Sequence, residues 1–359
     1  MTKKILVVDD SALMRRALCD IINDDSRFKV EDTAANGLIA LEKITSHHFD
    51  AIILDVSMPK MDGIALLEEL QKRRVSAKIL MASNETKENG AITIRALELG
   101  ALDFVEKPGS FLLAQNSQFK EKFIEALTIA VTSALPEIKA VPKKKPFSKV
   151  KIAELAKMKP GKSKKRIVAI ASSTGGPRAL QQVITILPKG MIAPIVIVQH
   201  MPVGFTNSFA ERLDMLSEVD VKEAVENDIL ENGKVYISRG GSHMNIIEKD
   251  GFQYVHYSDE PVREGVKPSA NYLFESLINT SYEDILCVIL TGMGSDGTEG
   301  ILHLNESKKI SIVTQNEETC TVYGMPRSIV KTGLVGKIKP IEEIAQTIIE
   351  KVGVENYGC

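Results

Sequence analysis

Residues 166 to 180 read Arg-Ile-Val-Ala-Ile-Ala-Ser-Ser-Thr-Gly-Gly-Pro-Arg-Ala-Leu, a short apolar run that stops abruptly at hydroxyls and glycines. The run from Ile167 to Ala171 predicts a buried strand, and Pro177 suits the first turn of a helix, where its missing N–H costs nothing. Ser172, Ser173 and Thr174 therefore fall on a tight strand-to-helix turn. Gly175 and Gly176 let the backbone curl closely, and the unpaired N–H groups that open the helix aim positive partial charge at the turn. Two occupants suit such a turn: a bound anion, or the oxyanion created when a serine attacks a carbonyl. The stretch alone does not choose between them.

Around this turn, strands and helices alternate. After a helix at 178–187, strands are expected at 194–198, 221–225, 234–238, 285–291, 310–314 and 334–338. Further helices are expected at 205–215, 269–279, 297–306, 326–332 and 341–351, with a hairpin near 243–257. Such alternation predicts a mainly parallel sheet with helices on both faces. Two strand ends carry chemistry. The strand at 194–198 runs into Gln199-His200-Met201-Pro202, and that at 285–290 runs into Thr291-Gly292-Met293-Gly294-Ser295-Asp296-Gly297. If both strands neighbour the 167–171 strand, Ser173, His200 and Asp296 reach one edge as nucleophile, base and orienter. Each has an ordinary alternative: a hydrogen-bonded histidine, a turn aspartate, and Ser172 in place of Ser173. Backbone N–H groups near Thr174 and Met293 are the oxyanion candidates. His243, in Gly-Gly-Ser-His-Met, either lines the cleft or, as loop histidines usually do, lies exposed.

The first half alternates as well. Lys3 to Val8 is an apolar strand that meets Asp9 and Asp10, followed by a helix over 11–23 with Ser11 as cap and Leu13, Ala17, Leu18 and Ile21 at helical spacing. Further strands are expected at 28–33, 50–54, 77–82 and 102–105, and helices at 37–47, 63–73, 88–99 and 117–134. Ligands of such sheets collect at the carboxyl ends of the strands. Those ends carry Asp9, Asp10, Asp55 and Lys107. Three converging carboxylates call for a cation, and oxygen-only ligands suit Mg2+. Asp55 is placed to become a phosphorylated nucleophile, with Lys107 as charge partner of the phosphoryl oxygens. Lys107-Pro108 is a candidate cis bond.

The chain has 359 residues, more than one core usually holds. With 45 Lys and Arg against 47 Asp and Glu, the net charge of -2 supplies no global attraction to nucleic acid or anionic membrane. Cys19, Cys287, Cys320 and Cys359 lack metal-site spacing and disulfide patterning, and Cys287 sits in an apolar run as a small core residue. No run approaches the roughly 20 apolar residues of a membrane span, and no signal peptide opens the chain. A cytoplasmic setting without membrane insertion is expected. Between Lys139 and Arg166 there are twelve basic residues and one acid, Glu154, with Pro142, Pro146 and Pro160. This composition predicts a linker, with a short helix possible at 149–158. A nucleic-acid-binding output through this basic run is the alternative function, but Phe147 is its one aromatic, and no reader motif follows.

The motifs Val-Asp-Asp-Ser-Ala-Leu-Met-Arg, Leu-Asp-Val-Ser-Met-Pro-Lys-Met-Asp-Gly and Phe-Val-Glu-Lys-Pro resemble a two-component receiver domain. That resemblance implies a flavodoxin-like fold and Mg2+ held by Asp10, Asp55 and the Ser57 carbonyl, assisted by Asp9. It also implies a histidine kinase that phosphorylates Asp55, Ser83 as switch hydroxyl and Phe104 as the aromatic that reorients. Ala-Ser-Ser-Thr-Gly-Gly-Pro, Gln-His-Met-Pro-Val-Gly-Phe-Thr-Asn-Ser-Phe, Ile-Leu-Thr-Gly-Met-Gly-Ser-Asp-Gly, Thr314-Gln315-Asn316-Glu317 and Tyr323-Gly324-Met325-Pro326-Arg327 resemble the chemotaxis protein-glutamate methylesterase family. This second resemblance implies a Rossmann-like hydrolytic domain with Ser173, His200 and Asp296 as its triad. The implied substrates are glutamate methyl esters and glutamines of chemoreceptors, with no cofactor for the ester chemistry. The family's turn usually reads Gly-Ala-Ser, and Ala171-Ser172-Ser173 departs from it at two places. The expected architecture is α/β with two doubly wound domains: a receiver over 1–134, a basic linker over 135–165 and a catalytic domain over 166–352.

Overall fold

The computed structural model describes residues 2–83, 87–107, 116–133 and 165–355. Its chain divides into two compact units, residues 1–142 and 143–359. Most of the lysine-rich stretch, the helix expected at 149–158 and Pro108 lie outside the described residues.

In the first unit, β1 (Lys3–Val8), α1 (Ala12–Asp24), β2 (Phe28–Ala34), α2 (Gly37–Ser46), β3 (Ala51–Asp55), α3 (Gly63–Lys72), β4 (Ile79–Ser83), α4 (Lys87–Glu98), β5 (Asp103–Glu106) and α5 (Ser117–Thr132) follow in order. The five strands form one parallel sheet in the order β2-β1-β3-β4-β5. β1 and β3 are therefore neighbours although β2 intervenes in the chain, and the reversal leaves a crevice at their carboxyl ends. Alternate residues of the strands feed one core, in which Ile5, Val7, Ile53 and Leu80 meet Ala17, Leu18, Phe123 and Leu127. Ser11 caps α1 by accepting the Met14 N–H. Leu13 departs from the expected apolar stripe: it is 67% exposed, while Ala17, Leu18, Ile21 and Ile22 form the buried face of α1.

The second unit contains β6 (Arg166–Ser172), α6 (Gly176–Ile184), β7 (Ile195–Gln199), α7 (Phe205–Leu216), β8 (Asp220–Glu223), β9 (Lys234–Ile237), β10 (His243–Lys249) and β11 (Phe252–Ser258). It continues with α8 (Ala270–Ser276), β12 (Asp284–Ile289), α9 (Thr298–Ser307), β13 (Ile310–Gln315), α10 (Met325–Val330), β14 (Lys337–Lys339) and α11 (Ile341–Val352). Seven parallel strands are ordered β14-β13-β12-β6-β7-β9-β8. β6 thus lies between β12 and β7, with the sheet growing outward on both sides. Ile167, Ala169 and Ala171 face one core with Val196, Val198, Phe274 and Cys287. Burial pushes the Cys287 thiol up and leaves it an inert packing group. β10 and β11 form a separate antiparallel hairpin closed by Asp250 and Gly251, both at positive φ.

Several boundaries shift by up to three residues from expectation, two of them where the local backbone changes. The strand expected at 334–338 begins only at Lys337, after Gly333 at positive φ. The helix expected over 269–279 tightens after Ser276 into a 3-10 turn, Leu277–Asn279.

Candidate active site

The central strand β6 delivers the serine turn. Ser172 is fully buried and its hydroxyl donates to Gln199 Oε1 at 2.7 Å. Gln199 Nε2 in turn donates to the carbonyls of Ser173 (3.0 Å) and His200 (3.1 Å), so one amide ties the ends of β6 and β7 together. The glutamine reaches the turn only because position 176 lacks a side chain: a Cβ there would lie 2.9 Å from Ser172 Cβ and strike the Gln199 amide. Ser173 is half-buried, and among the described residues its hydroxyl makes no hydrogen bond. Of the two competing serines, Ser172 is structurally occupied and Ser173 is available.

His200 follows β7, with its side chain 9% exposed, and its Nε2 lies 2.8 Å from Asp296 Oδ2. The other ring nitrogen, Nδ1, is the one left for a second partner. Asp296 is 3% exposed and held from the start of α8. Its Oδ1 accepts from Ser269 Oγ (2.6 Å) and the Asn271 N–H (3.1 Å), while Oδ2 also accepts from the Ala270 N–H (2.6 Å). Burial alone would raise this carboxyl, but the His200 bond and charge, the Ser269 hydroxyl and the Ala270 N–H together hold it below its ordinary value. The carboxylate form is thereby the stable one beside the imidazole. Asn271 extends the clamp by accepting from the N–H groups of Gly297 (3.0 Å) and Gly300 (2.7 Å), which fixes the loop after β12.

The turn and the β12 loop approach closely. Ser173 N–H donates to the Thr291 carbonyl at 3.0 Å, and a Cβ on Gly292 would sit 2.7 Å from Ser173 Cβ. Neither the Thr174 nor the Met293 N–H donates to a protein acceptor among the described residues. Thr174 directly follows Ser173, and Met293 follows Gly292, the residue that approaches Ser173. His243 departs from the expected exposed loop residue: it begins β10, is fully buried, and stacks edge-on against Tyr272 with centroids 4.6 Å apart.

At the crevice of the first unit, Lys107 Nζ lies 2.9 Å from Asp9 Oδ2 and 2.7 Å from Asp55 Oδ1. Asp9, Asp10 and Asp55 offer carboxylate oxygens all within 4.8 Å of one another. Burial first, and the Asp9 charge after it, push the Asp55 carboxyl up against the pull of Lys107. Burial would lower the Lys107 ammonium, but the two carboxylates outweigh it and hold it above its usual value. An all-oxygen cluster this compact fits a hard divalent cation. Ser57 lies on the loop just after β3, its N–H 3.4 Å from Asp55 Oδ1. Phe104 is buried on β5. Ser83 is also buried, but its hydroxyl accepts from Thr93 Oγ1 on α4 at 3.1 Å, and the residue registered against Asp55 is Ala82.

Gln199, Ser269 and Asn271 are not legible in the sequence as site residues. Gln199 adjoins His200, and Ser269 and Asn271 lie in a segment with no motif of its own.

Comparison with known proteins matches residues 168–348 to the CheB methylesterase family and residues 5–113 to the response regulator receiver domain. The protein-glutamate methylesterase/protein-glutamine glutaminase of Bacillus subtilis (strain 168) is 41% identical over 358 residues, covering 98% of this chain and 99% of that protein. The like-named protein of Geobacillus kaustophilus (strain HTA426) is 39% identical over 352 residues, covering 98% and 99%. The crystal structure of the Thermotoga maritima CheB methylesterase catalytic domain is 38% identical, covers 52% of this chain and 99% of that one, and superposes with a TM-score of 0.51. Among the described residues no helix is long and apolar enough to cross a membrane.

Proposed function

The chain belongs to the CheB methylesterase family, with a receiver domain ahead of its catalytic region, and on that premise we propose that it is a phosphorylation-activated esterase and amidase of chemoreceptors. It hydrolyses glutamate methyl esters and deamidates glutamines. One observation carries this reading: the free Ser173 hydroxyl rises from β6 between the strands that bear the hydrogen-bonded pair His200 and Asp296.

In the proposed reaction, Ser173 Oγ attacks the ester carbonyl carbon and its proton passes to His200 Nδ1. Asp296 holds the ring through Nε2 and stabilises the imidazolium. The N–H groups of Thr174 and Met293 receive the oxyanion; removal of one such donor typically costs about 100- to 1,000-fold. As the tetrahedral adduct collapses, the methoxy C–O bond breaks and the proton on His200 leaves with methanol. Water, deprotonated by His200, then cleaves the acyl-serine and frees the glutamate. With a glutamine substrate the same steps release ammonia.

Regulation is assigned to Asp55 as acceptor of a phosphoryl group from a histidine kinase. Asp10, Asp55 and the Ser57 carbonyl, assisted by Asp9, would hold Mg2+, which when bound neutralises negative charge on the phosphoryl group. Lys107 supplies a fixed positive charge on the same oxygens. The proposed limits are a receiver over 1–134, a linker over 135–165 and a catalytic domain over 166–352.

The test is methanol release from a methylated chemoreceptor cytoplasmic fragment, with and without a small-molecule phosphodonor. Wild type is expected to be active and stimulated by the phosphodonor, and Ser173→Ala inactive. A Ser173→Ala protein as active as wild type would remove the proposed mechanism.

A further inference from the structure

Behind Asp296 lies a second, fully buried imidazole that the reaction does not consume. His243 Nδ1 accepts the Ser269 N–H at 3.1 Å, and the Ser269 hydroxyl donates to Asp296 Oδ1 at 2.6 Å. A backbone N–H can only donate, so Nδ1 is unprotonated and the ring proton sits on Nε2. That Nε2 is buried and makes no full hydrogen bond among the described residues, and the Pro261 carbonyl is near enough only to favour the protonated ring. A buried imidazole that leaves one nitrogen unpaired is costly unless the other nitrogen is required.

The surroundings hold this ring rigidly. Tyr272 packs against it from α8, and the Gly241 N–H donates to the Lys267 carbonyl at 3.1 Å, which fastens the start of β10 to the segment carrying Ser269. Ser269 is at once the residue preceding α8 and the donor to Asp296. Its position is therefore set from outside the helix by the histidine.

We propose that His243 is a positioning residue of the hydrolytic site: by accepting the Ser269 N–H it fixes the serine whose hydroxyl orients Asp296, and through Asp296 it sets the His200 ring. The inference rests on the Ser173, His200 and Asp296 reading. It extends the site by two residues, and its substrate is the same. Displacing the carboxylate tilts His200 and leaves the serine turn itself in place, so the effect falls on kcat and not on KM.

The experiment uses the full chain and a methylated chemoreceptor cytoplasmic fragment, with methanol release as readout. His243→Leu fills the space without an acceptor and is expected to lower kcat about 10- to 100-fold at unchanged KM. His243→Asn, whose amide oxygen takes the place of Nδ1, is expected to recover most of that loss. In 15N-histidine-labelled protein, the downfield proton on His200 Nε2, hydrogen-bonded to Asp296, should shift or broaden in the Leu variant and return in the Asn variant. Equal losses in both variants, a change confined to KM, or a His200 signal unaltered in the Leu variant would each overturn the role. Failure of the underlying reading is seen separately, as full activity in Ser173→Ala.

Discussion

The Ser172 hydroxyl donates to Gln199 Oε1 at 2.7 Å, and this one bond makes two adjacent serines chemically unequal. Ser172 is spent on joining β6 to β7, while Ser173 keeps its hydroxyl free at a half-buried position. Ser172→Ala is expected to leave Gln199 Oε1 unsatisfied in the core and to cost about 1–3 kcal/mol of stability. Its turnover should stay within about tenfold of wild type, whereas Ser173→Ala should lose about 10^6-fold, down to the background of substrate binding and oxyanion donors. Denaturant unfolding and methanol release, measured on the two variants side by side, separate these outcomes.

Asp296 accepts four hydrogen bonds, one of them from His200. Asp296→Asn would turn an NH2 group toward donors and present the wrong partner to the ring. A fall in kcat of about 10^4-fold is expected, as for the equivalent change in a serine protease triad. Steady-state kinetics on the folded variant provide the check, and a loss below tenfold would contradict the assigned role.

Stability should decline toward acid pH through two groups. His243 is held below its ordinary value by burial first and Lys267 second, against the Pro261 carbonyl, Glu260 and Asp296. Asp296 is held below its own. In each case the unfolded chain binds the proton more readily than the folded one, so the contribution is complete above the unfolded value and is lost as pH falls. The histidine should act first, below about pH 6.5, and the aspartate only below about pH 4. Thermal melting of the full chain from pH 8 to pH 4 is the measurement. In His243→Asn the first part of the decline should be flatter.

Gly292 permits the β12 loop to approach Ser173, since a Cβ there would fall 2.7 Å from Ser173 Cβ. Gly292→Ala is expected to push the Met293 N–H away from the turn and lower kcat about 100-fold. Circular dichroism should show an unchanged fold. A variant with wild-type kcat would remove Met293 from the oxyanion site.

Lys107 lies between two buried carboxylates, with its own side chain 7% exposed. Lys107→Met would strand Asp9 and Asp55 without a cation, and a loss of about 3–5 kcal/mol from the first unit is expected. Added Mg2+ should restore part of it, because the carboxylates then regain a counter-charge. Asp55→Asn should lose phosphodonor stimulation while basal turnover persists. Melting with and without Mg2+, together with phosphodonor-dependent methanol release, tests both variants.

Much of this molecule was written in local pattern. Apolar runs ending in Asp9, Asp55, Ser173 and His200 announce strands whose carboxyl ends carry chemistry, and helices between them require a parallel sheet. That logic reaches the architecture and the group of candidate residues, because periodicity and strand termini are properties of a few consecutive residues. It could not choose Ser173 over Ser172, decide which nitrogen of His200 meets Asp296, or see that His243 is buried. Those outcomes depend on which donor meets which acceptor across 96 residues of chain between His200 and Asp296, or 26 between His243 and Ser269. Only packing of the sheet, with α8 set against the β12 loop, brings such groups within hydrogen-bond distance, and no local spacing encodes it.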